Sequence, residues 1–127
     1  MNEVFTKSFN HIKIHTQYSI CEGALRINDL AEFCKKNKIK CVGLSDTTNL
    51  CGALEFSENL SKIGTQPIIG TQVNFKFADQ IGLLPLIATS EESYKSIIEM
   101  SSNSYLKNDG MSEPHCNFKD LNAISKD

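Results

Sequence analysis

The sequence predicts an α/β domain in which strands and helices alternate around a parallel sheet. Short runs rich in β-branched residues alternate with segments whose apolar residues recur at helical spacing. This strand–helix–strand order is typical of βαβ units, whose strands lie parallel. The 127 residues are enough for one domain with a single hydrophobic core, and no second domain is expected.

The N-terminal half is predicted to contain two strands, each followed by a helix. The strands cover residues 9–15 and 40–45. Asn28 is the expected N-cap of the first helix, whose buried stripe comprises Ile27, Leu30, Ala31 and Cys34. The second helix covers residues 52–63 and buries Ala53, Phe56 and Leu60.

The C-terminal half is predicted to hold three strands and two helices. One strand begins at residues 67–69, a half-buried strand alternates Val73, Phe75 and Phe77 with polar residues, and another covers residues 83–88. Thr89 and Glu92 have capping-box spacing and predict a helix with a buried stripe of Tyr94, Ile97, Ile98, Ser101 and Tyr105. A loop at 107–114 and a short helix at 117–124 complete the pattern.

Composition argues against several classes of protein. A net charge of −2 and a single arginine, Arg26, do not suit a nucleic-acid surface. No apolar run approaches the length of a membrane span, and residues 1–5 lack the features of a signal peptide. We therefore expect a cytoplasmic protein with no membrane partner.

The five cysteines are an odd number without C-x-x-C spacing, so neither a zinc ribbon nor a disulfide framework is expected. Reduced, mostly buried thiols are the prediction.

Polar residues on the first strand form one candidate site. His11, Lys13 and His15 share a face, because strand side chains alternate. Two histidines on a strand can ligate a metal, but the ammonium group of Lys13 has no lone pair and repels a cation. The alternative is a buried, hydrogen-bonded histidine beside a solvated lysine.

Two further candidates follow later strands. Asp46 follows the second strand, where loops of parallel α/β folds carry chemistry. An aspartate there can ligate a metal, act as a base or form a turn. Gln72 lies between two predicted strands, and its neutral amide contributes little to binding a dication. His115 is expected at the surface.

Three segments together resemble a known family. They are H-I-K-I-H-T-Q-Y-S with E-G-A at residues 11–24, G-L-S-D-T-T-N-L-C-G-A-L-E-F at 43–56, and Q-P-I-I-G-T-Q at 66–72. The chain resembles the PHP (polymerase and histidinol phosphatase) domain, in the version found at the N-terminus of bacterial DNA polymerase III alpha subunits. The resemblance covers residues 9–125 and implies that residues 1–127 are the N-terminal part of one PHP domain.

The family fold is a distorted seven-stranded TIM-like β/α barrel, and this chain is expected to stop before the barrel closes. The resemblance also implies the positions of five N-terminal metal ligands. These positions hold Lys13, His15, Asp46, Thr47 and Gln72. Lysine, threonine and glutamine bind divalent cations poorly, so the metal site is expected to be vestigial. We hypothesise that Lys13 pairs with Asp46 and replaces the missing cation.

Two functions are compatible with the resemblance. The first is a structural and subunit-docking module in DNA replication, with no catalytic residue or cofactor of its own. Its expected partners are the downstream polymerase domain, which uses Mg²⁺, the proofreading exonuclease subunit and other replicase subunits, with DNA bound by the parent protein. The alternative is an active phosphoesterase, a proofreading exonuclease or a histidinol-phosphatase-like enzyme, holding Zn²⁺ or Mn²⁺ at His15 and Asp46. An unclosed sheet edge predicts that the chain self-associates.

Overall fold

In the computed structural model, which describes residues 9–124, strands and helices alternate along the chain and form a mixed α/β fold. The elements are α1 (Ile27–Lys36), β1 (Cys41–Gly43), β2 (Asp46–Thr47), α2 (Ala53–Lys62), β3 (Gln66–Ile68), β4 (Gly70–Phe77), β5 (Gln80–Ile87), α3 (Glu91–Leu106), β6 (Cys116–Asn117) and α4 (Phe118–Ile124). The predicted α/β class is therefore confirmed. The seven-stranded barrel and its truncation stay predictions.

Most strand pairs are parallel, as the βαβ pattern predicts. β1 pairs with β3, β2 with β4, and β4 with β6, all in parallel. β5 departs from the prediction, because it runs antiparallel to β4 as the second strand of a hairpin. Only two residues separate β4 from β5, and so short a connection cannot return the chain for parallel pairing.

The first predicted strand is present as an extended segment and not as a regular strand. Ile14 forms an isolated parallel bridge with Leu44. The Ile14 N–H donates to the carbonyl oxygen of Gly43 at 3.1 Å, and the Ser45 N–H donates to that of Ile14 at 2.8 Å. These bonds align the segment with β1 and bring His15 to the end of the sheet where β2 begins.

Two hydrophobic clusters stabilise the fold. The first lies where α1 and α2 pack on β1, and the confirmed stripes of both helices supply most of its residues. The second lies between β4 and α3 and contains Val73, Phe75, Met100 and Cys116. The predicted single core is thus divided into two parts.

The β4 strand is more buried than its alternation predicts. Gly70 to Phe75 are all buried, including the polar side chains of Thr71, Gln72 and Asn74. The reason is that α3 covers one face, while neighbouring polar groups cover the other. Phe77, predicted to face the core, is 68% exposed at the hairpin end.

The β5 strand has one open edge in the described part of the chain. The Ala88 N–H donates to the Ile69 carbonyl oxygen at 2.9 Å, which makes that pair a hydrogen-bonded one in the antiparallel register. Hydrogen-bonded pairs alternate with non-bonded pairs, so the nitrogen of Pro85, opposite Gln72, faces the open edge. Proline has no N–H, and the middle of this edge therefore lacks a donor.

Two predicted helix starts are wrong. The N-cap of α1 is Arg26, and Asn28 lies within the helix, where its side-chain oxygen accepts a hydrogen bond from Asn59 at 3.1 Å. The capping box of α3 is formed by Ser90 with Ser93 and not by Thr89 with Glu92. A run of hydroxyl residues offers caps at neighbouring registers, and packing selects among them.

The buried face of α3 is also rotated relative to the prediction. Ile97, Met100 and Ser104 are buried, whereas Ile98 is 41% and Tyr105 52% exposed. The phenol of Tyr105 reaches a loop instead of the core.

All five cysteines are free, as predicted, but only Cys34 and Cys116 are buried. Burial raises the pKa of both thiols, which keeps them protonated. Within residues 9–124, no helix has the length and apolar character needed to cross a membrane.

Candidate functional site

The carboxylate of Asp46 is the most completely bound polar group at the end of the sheet. Asp46 is fully buried at the start of β2. Its Oδ1 accepts from the Thr16 N–H at 2.6 Å and from the Ser19 hydroxyl at 2.7 Å, and its Oδ2 accepts from the Thr16 hydroxyl at 2.7 Å. Three donors from one turn therefore surround this carboxylate and fix the turn onto the sheet.

A second group of polar side chains lies beside Asp46 and is linked to it through Ser19. In the parallel register Thr47 lies opposite Gln72, and the Gln72 amide Nε2 donates to the Thr47 hydroxyl at 3.3 Å. The same amide nitrogen lies 3.4 Å from Nε2 of His15. The Gln72 amide is therefore within reach of both the Thr47 hydroxyl and the His15 ring.

Glu22 completes this group, although the sequence did not single it out as a site residue. The Thr47 hydroxyl donates to Oε2 of Glu22 at 2.5 Å, and the same oxygen lies 3.8 Å from Nδ1 of His15. Nδ1 of His15 also lies 3.4 Å from the Ser19 hydroxyl. Four of the five family-implied positions thus come together, with Glu22 added and Lys13 left out.

The predicted ion pair between Lys13 and Asp46 is wrong. Lys13 is exposed, and in the described part of the chain no carboxylate lies within ion-pairing distance of its ammonium group. The reason is that the side chain of Asp46 turns toward residues 16–19. His11 is exposed as well and contacts Phe9 edge-to-face.

The surrounding loops hold this arrangement in place by close backbone approaches. A Cβ on Gly23 would lie 1.9 Å from the carbonyl oxygen of Thr16, and one on Gly52 would lie 2.7 Å from the Tyr18 ring. Side chains at these positions would push the 16–19 turn away from Asp46. Glycine is therefore required at positions 23 and 52 so that the turn can pack at the site.

Tyr18 ties the same turn to α2. Its hydroxyl donates to Oε2 of Glu55 at 2.6 Å, and its backbone carbonyl accepts from the Asn49 amide at 2.9 Å. The hydrogen bond to Glu55, followed by burial and the negative charge of that carboxylate, raises the pKa of Tyr18. The neutral phenol is therefore the form that the fold favours.

These residues do not fit a catalytic metal ion. No cluster of three or more His, Cys, Asp or Glu side chains with metal-binding geometry exists in residues 9–124. Both oxygens of Asp46 are engaged by protein donors, and Thr47 and Gln72 supply only neutral groups. Protein donors thus occupy three of the roughly four acceptor positions of this carboxylate, and no charged ligand beside it is supplied by Thr47 or Gln72.

Sequence reasoning missed Thr16, Ser19 and Glu22. Their signal was present in the first segment of the resemblance, where a threonine, a serine and a glutamate follow His15 at short intervals. Spacing alone does not reveal that this turn folds back over β2.

Comparison with known proteins agrees with this architecture. A family described as "PHP domain" matches residues 11–127. DNA polymerase III subunit alpha of Rickettsia felis is 38% identical over 114 residues, which covers 89% of this chain and 9% of that protein. The corresponding subunits of Borreliella burgdorferi and Helicobacter pylori are each 33% identical, covering 81% and 80% of this chain and 10% and 9% of those proteins. The chain thus spans about a tenth of the length of the curated relatives it matches.

The fold is similar to that of a solved structure. It is a protein from Bifidobacterium adolescentis described as a candidate metal-dependent phosphoesterase. It superposes with a TM-score of 0.60 and 23% sequence identity over 75% of this chain and 32% of that one.

Proposed function

The chain belongs to the PHP domain family, and from that premise we propose that it is a degenerate PHP domain acting in DNA replication. In this proposal it is a structural and subunit-docking module of a DNA polymerase III alpha subunit and has lost its metal-dependent phosphoesterase activity. The homology to alpha subunits of several bacterial species supports the replication context.

The state of Asp46 carries the proposal. This fully buried carboxylate accepts three hydrogen bonds from Thr16 and Ser19, so protein donors occupy most of its roughly four acceptor positions. Such a carboxylate anchors a turn. These contacts hold the 16–19 turn in its place.

The neutral side chains at neighbouring positions also support the proposal. Thr47 and Gln72 complete a chain of hydrogen bonds that runs from His15 to Glu22 without a cation. A site that satisfies its own polar groups has no need of an ion to neutralise them. The chemistry left to this chain is therefore recognition and support.

The partners are part of the proposal. The chain supports the polymerase domain that follows in the alpha subunit, which uses Mg²⁺, and it docks the proofreading exonuclease and other replicase subunits in the cytoplasm. We also propose that the complete domain is a β/α barrel. The parallel pairs β1–β3 and β2–β4 support this, because parallel strands are the repeating unit of such a barrel.

Metal content is the decisive measurement. Elemental analysis of protein purified without added metal, on this chain and on the full-length parent, is expected to give a stoichiometry near zero for both. Hydrolysis of a generic phosphoester is expected to be absent and unaffected by a chelator. Asp46→Asn is the matched variant, because it removes the charge and keeps the shape.

The alternative, an active phosphoesterase with Zn²⁺ or Mn²⁺ at His15 and Asp46, predicts different results. One or more ions per chain, lost in Asp46→Asn together with chelator-sensitive hydrolysis, would overturn the proposal. Metal in the parent alone would place the ligands that matter outside residues 1–127.

A further inference from the structure

Five lysines gather at the end of the fold opposite the polar site. Lys35 and Lys36 lie in the last turn of α1, and Lys62 lies in the last turn of α2. Lys38 and Lys40 lie in the short connection from α1 to β1. Since each helix leads into one of two parallel strands, β1 and β3, both helix ends meet at the same edge of the sheet. We call these five residues the lysine rim.

Backbone contacts join the two parts of the rim. The Gln66 N–H donates to the Lys40 carbonyl oxygen at 2.8 Å, and the Thr65 hydroxyl donates to the Ile39 carbonyl oxygen at 2.9 Å. The connection after α1 and the connection after α2 therefore lie side by side. The backbone segments that carry the five lysines are therefore neighbours, and Lys35 and Lys62 line one groove.

The lysine rim contains no acidic residue. No Asp or Glu occurs at 33–45 or at 59–78. The carboxylates of Glu32 on α1 and Glu58 on α2 lie one helical turn before the rim, and Glu32 lines the α1–α2 groove. No ion pair joins a rim lysine to a carboxylate in the described residues. All five lysines are exposed.

The helix dipoles account for three of the five lysines and do not account for the other two. Lysine in a last helical turn interacts favourably with the helix dipole, which accounts for Lys35, Lys36 and Lys62. Lys38 and Lys40 lie beyond the helix and gain little from it, because the dipole effect falls off within the last turn. Five like charges side by side repel one another unless something anionic lies against them.

The fold thus places five positive charges in one region, although the chain as a whole is slightly negative. The whole chain has a net charge of −2, so the residues outside the rim sum to −7. An argument from net charge misses a local surface of this kind.

We propose that the lysine rim binds the phosphate backbone of duplex DNA without reading its sequence. Lysine neutralises phosphates as a point charge, and the rim contains no arginine for bidentate contact with bases. An acidic protein partner is disfavoured, since protein interfaces are depleted in lysine and use arginine and aromatic anchors at their centre. This DNA-binding surface is separate from the polar site, which lies at the opposite end of the sheet.

The test measures the salt dependence of binding. Anisotropy of a fluorescein-labelled 20-base-pair duplex is followed with the 127-residue chain between 20 and 150 mM salt. Five phosphate contacts predict a slope of log Kobs against log salt of about −4.5. The variant Lys38→Gln/Lys40→Gln is expected to reduce the slope by about 2 and to weaken binding by roughly tenfold at the lowest salt.

A matched control separates a local contact from net charge. Lys76→Gln/Lys107→Gln removes the same charge from exposed positions outside the rim and is expected to change the slope by less than about 0.5. Equal effects of the two double variants would overturn the proposal, as would the absence of binding at 20 mM salt. Competition by poly-glutamate as strong as that by unlabelled duplex would also overturn it and assign the rim to an acidic protein.

Discussion

The phenol oxygen of Tyr105 lies 3.0 Å from the carbonyl oxygen of Thr48 and 3.1 Å from its hydroxyl oxygen. Tyr105 is at the end of α3, and Thr48 follows the site residue Thr47 with a φ of 58°. A β-branched residue rarely adopts this left-handed conformation. Helix α3 therefore helps to hold a strained loop residue next to the polar site.

Removing this hydroxyl should cost a small but measurable amount of stability. Tyr105→Phe is expected to lower the free energy of unfolding by about 0.5–1 kcal/mol, since the bond is partly exposed. Urea denaturation measures the change. Tyr94→Phe is the control, because the Tyr94 hydroxyl makes no hydrogen bond in the described residues. Equal losses in the two variants would contradict the role of Tyr105.

Replacing Asp46 should be among the most destabilising single changes at the site. Asp46→Ala leaves the donors of Thr16 and Ser19 without an acceptor and is expected to cost about 3–5 kcal/mol in urea denaturation. Asp46→Asn should cost about 1–2 kcal/mol, since its side-chain oxygen keeps the Oδ1 contacts and the Thr16 hydroxyl can accept from the new amide. A near-neutral effect of Asp46→Ala would show that this carboxylate does not anchor the turn.

Tyr18 should make stability dependent on pH in the alkaline range. Its pKa is raised above the ordinary value of 10.0 mainly by the hydrogen bond to Glu55. A raised pKa means that the fold favours the protonated phenol, so this contribution is complete below pH 10 and is lost as the pH rises through the folded-state pKa. Unfolding measured from pH 8 to 11 should therefore show a steeper loss in the wild type than in Tyr18→Phe.

A second variant isolates the cause of that shift. Glu55→Gln should bring the pKa of Tyr18 back toward its ordinary value, as read from the absorbance of the phenolate. An unchanged titration in Glu55→Gln would mean that the Glu55 carboxylate is not the cause.

A single substitution should make the polar site respond to zinc. Gln72→Glu places a second carboxylate near Glu22 and removes the amide that donates to His15 and Thr47. Without metal the variant is expected to lose about 1–3 kcal/mol of stability. Zn²⁺ should raise its melting temperature, because binding to the folded state alone stabilises that state, and should leave the wild type unchanged. A zinc-induced shift in the wild type would contradict the proposed loss of the metal site.

The open edge of β5 allows a test of the predicted self-association. Pro85→Val restores a donor at the middle of that edge and should increase the sedimentation-derived association constant. The control Ala88→Val adds a β-branched side chain just past the strand, where the Ala88 N–H is already bonded to Ile69. No increase in Pro85→Val would mean that copies do not meet along this edge.

Local sequence patterns were sufficient to predict the first two helices and most strands. The stripes of α1 and α2 match the first core because each helix packs one face on β1 or β3. The stripe of α3 was misplaced because Ile98 and Tyr105 are as apolar as Met100 by type. Packing of Met100 on Val73 and Phe75, which spacing does not show, determines the buried face.

The membership of the candidate site was predicted in part, and its contacts were missed. His15, Asp46, Thr47 and Gln72 do lie together, as the resemblance implied. The direction of the Asp46 side chain depends on a turn 27 to 30 residues away in sequence. Sequence periodicity carries no information about a contact of that range, so the incorrect Lys13 pairing followed.

The division of the core has a consequence for the cooperativity of folding. The cluster around α1 and α2 and the cluster beneath α3 share no residue, and the seam between them is where β2 meets β4, beside Asp46 and Gln72. Each cluster is small and contributes little stability by itself. The two clusters unfold as one unit only if the contacts at the seam couple them. The hydrogen-bonded polar groups at the seam would then couple the two clusters, and their substitution would separate one hydrogen-exchange unit into two.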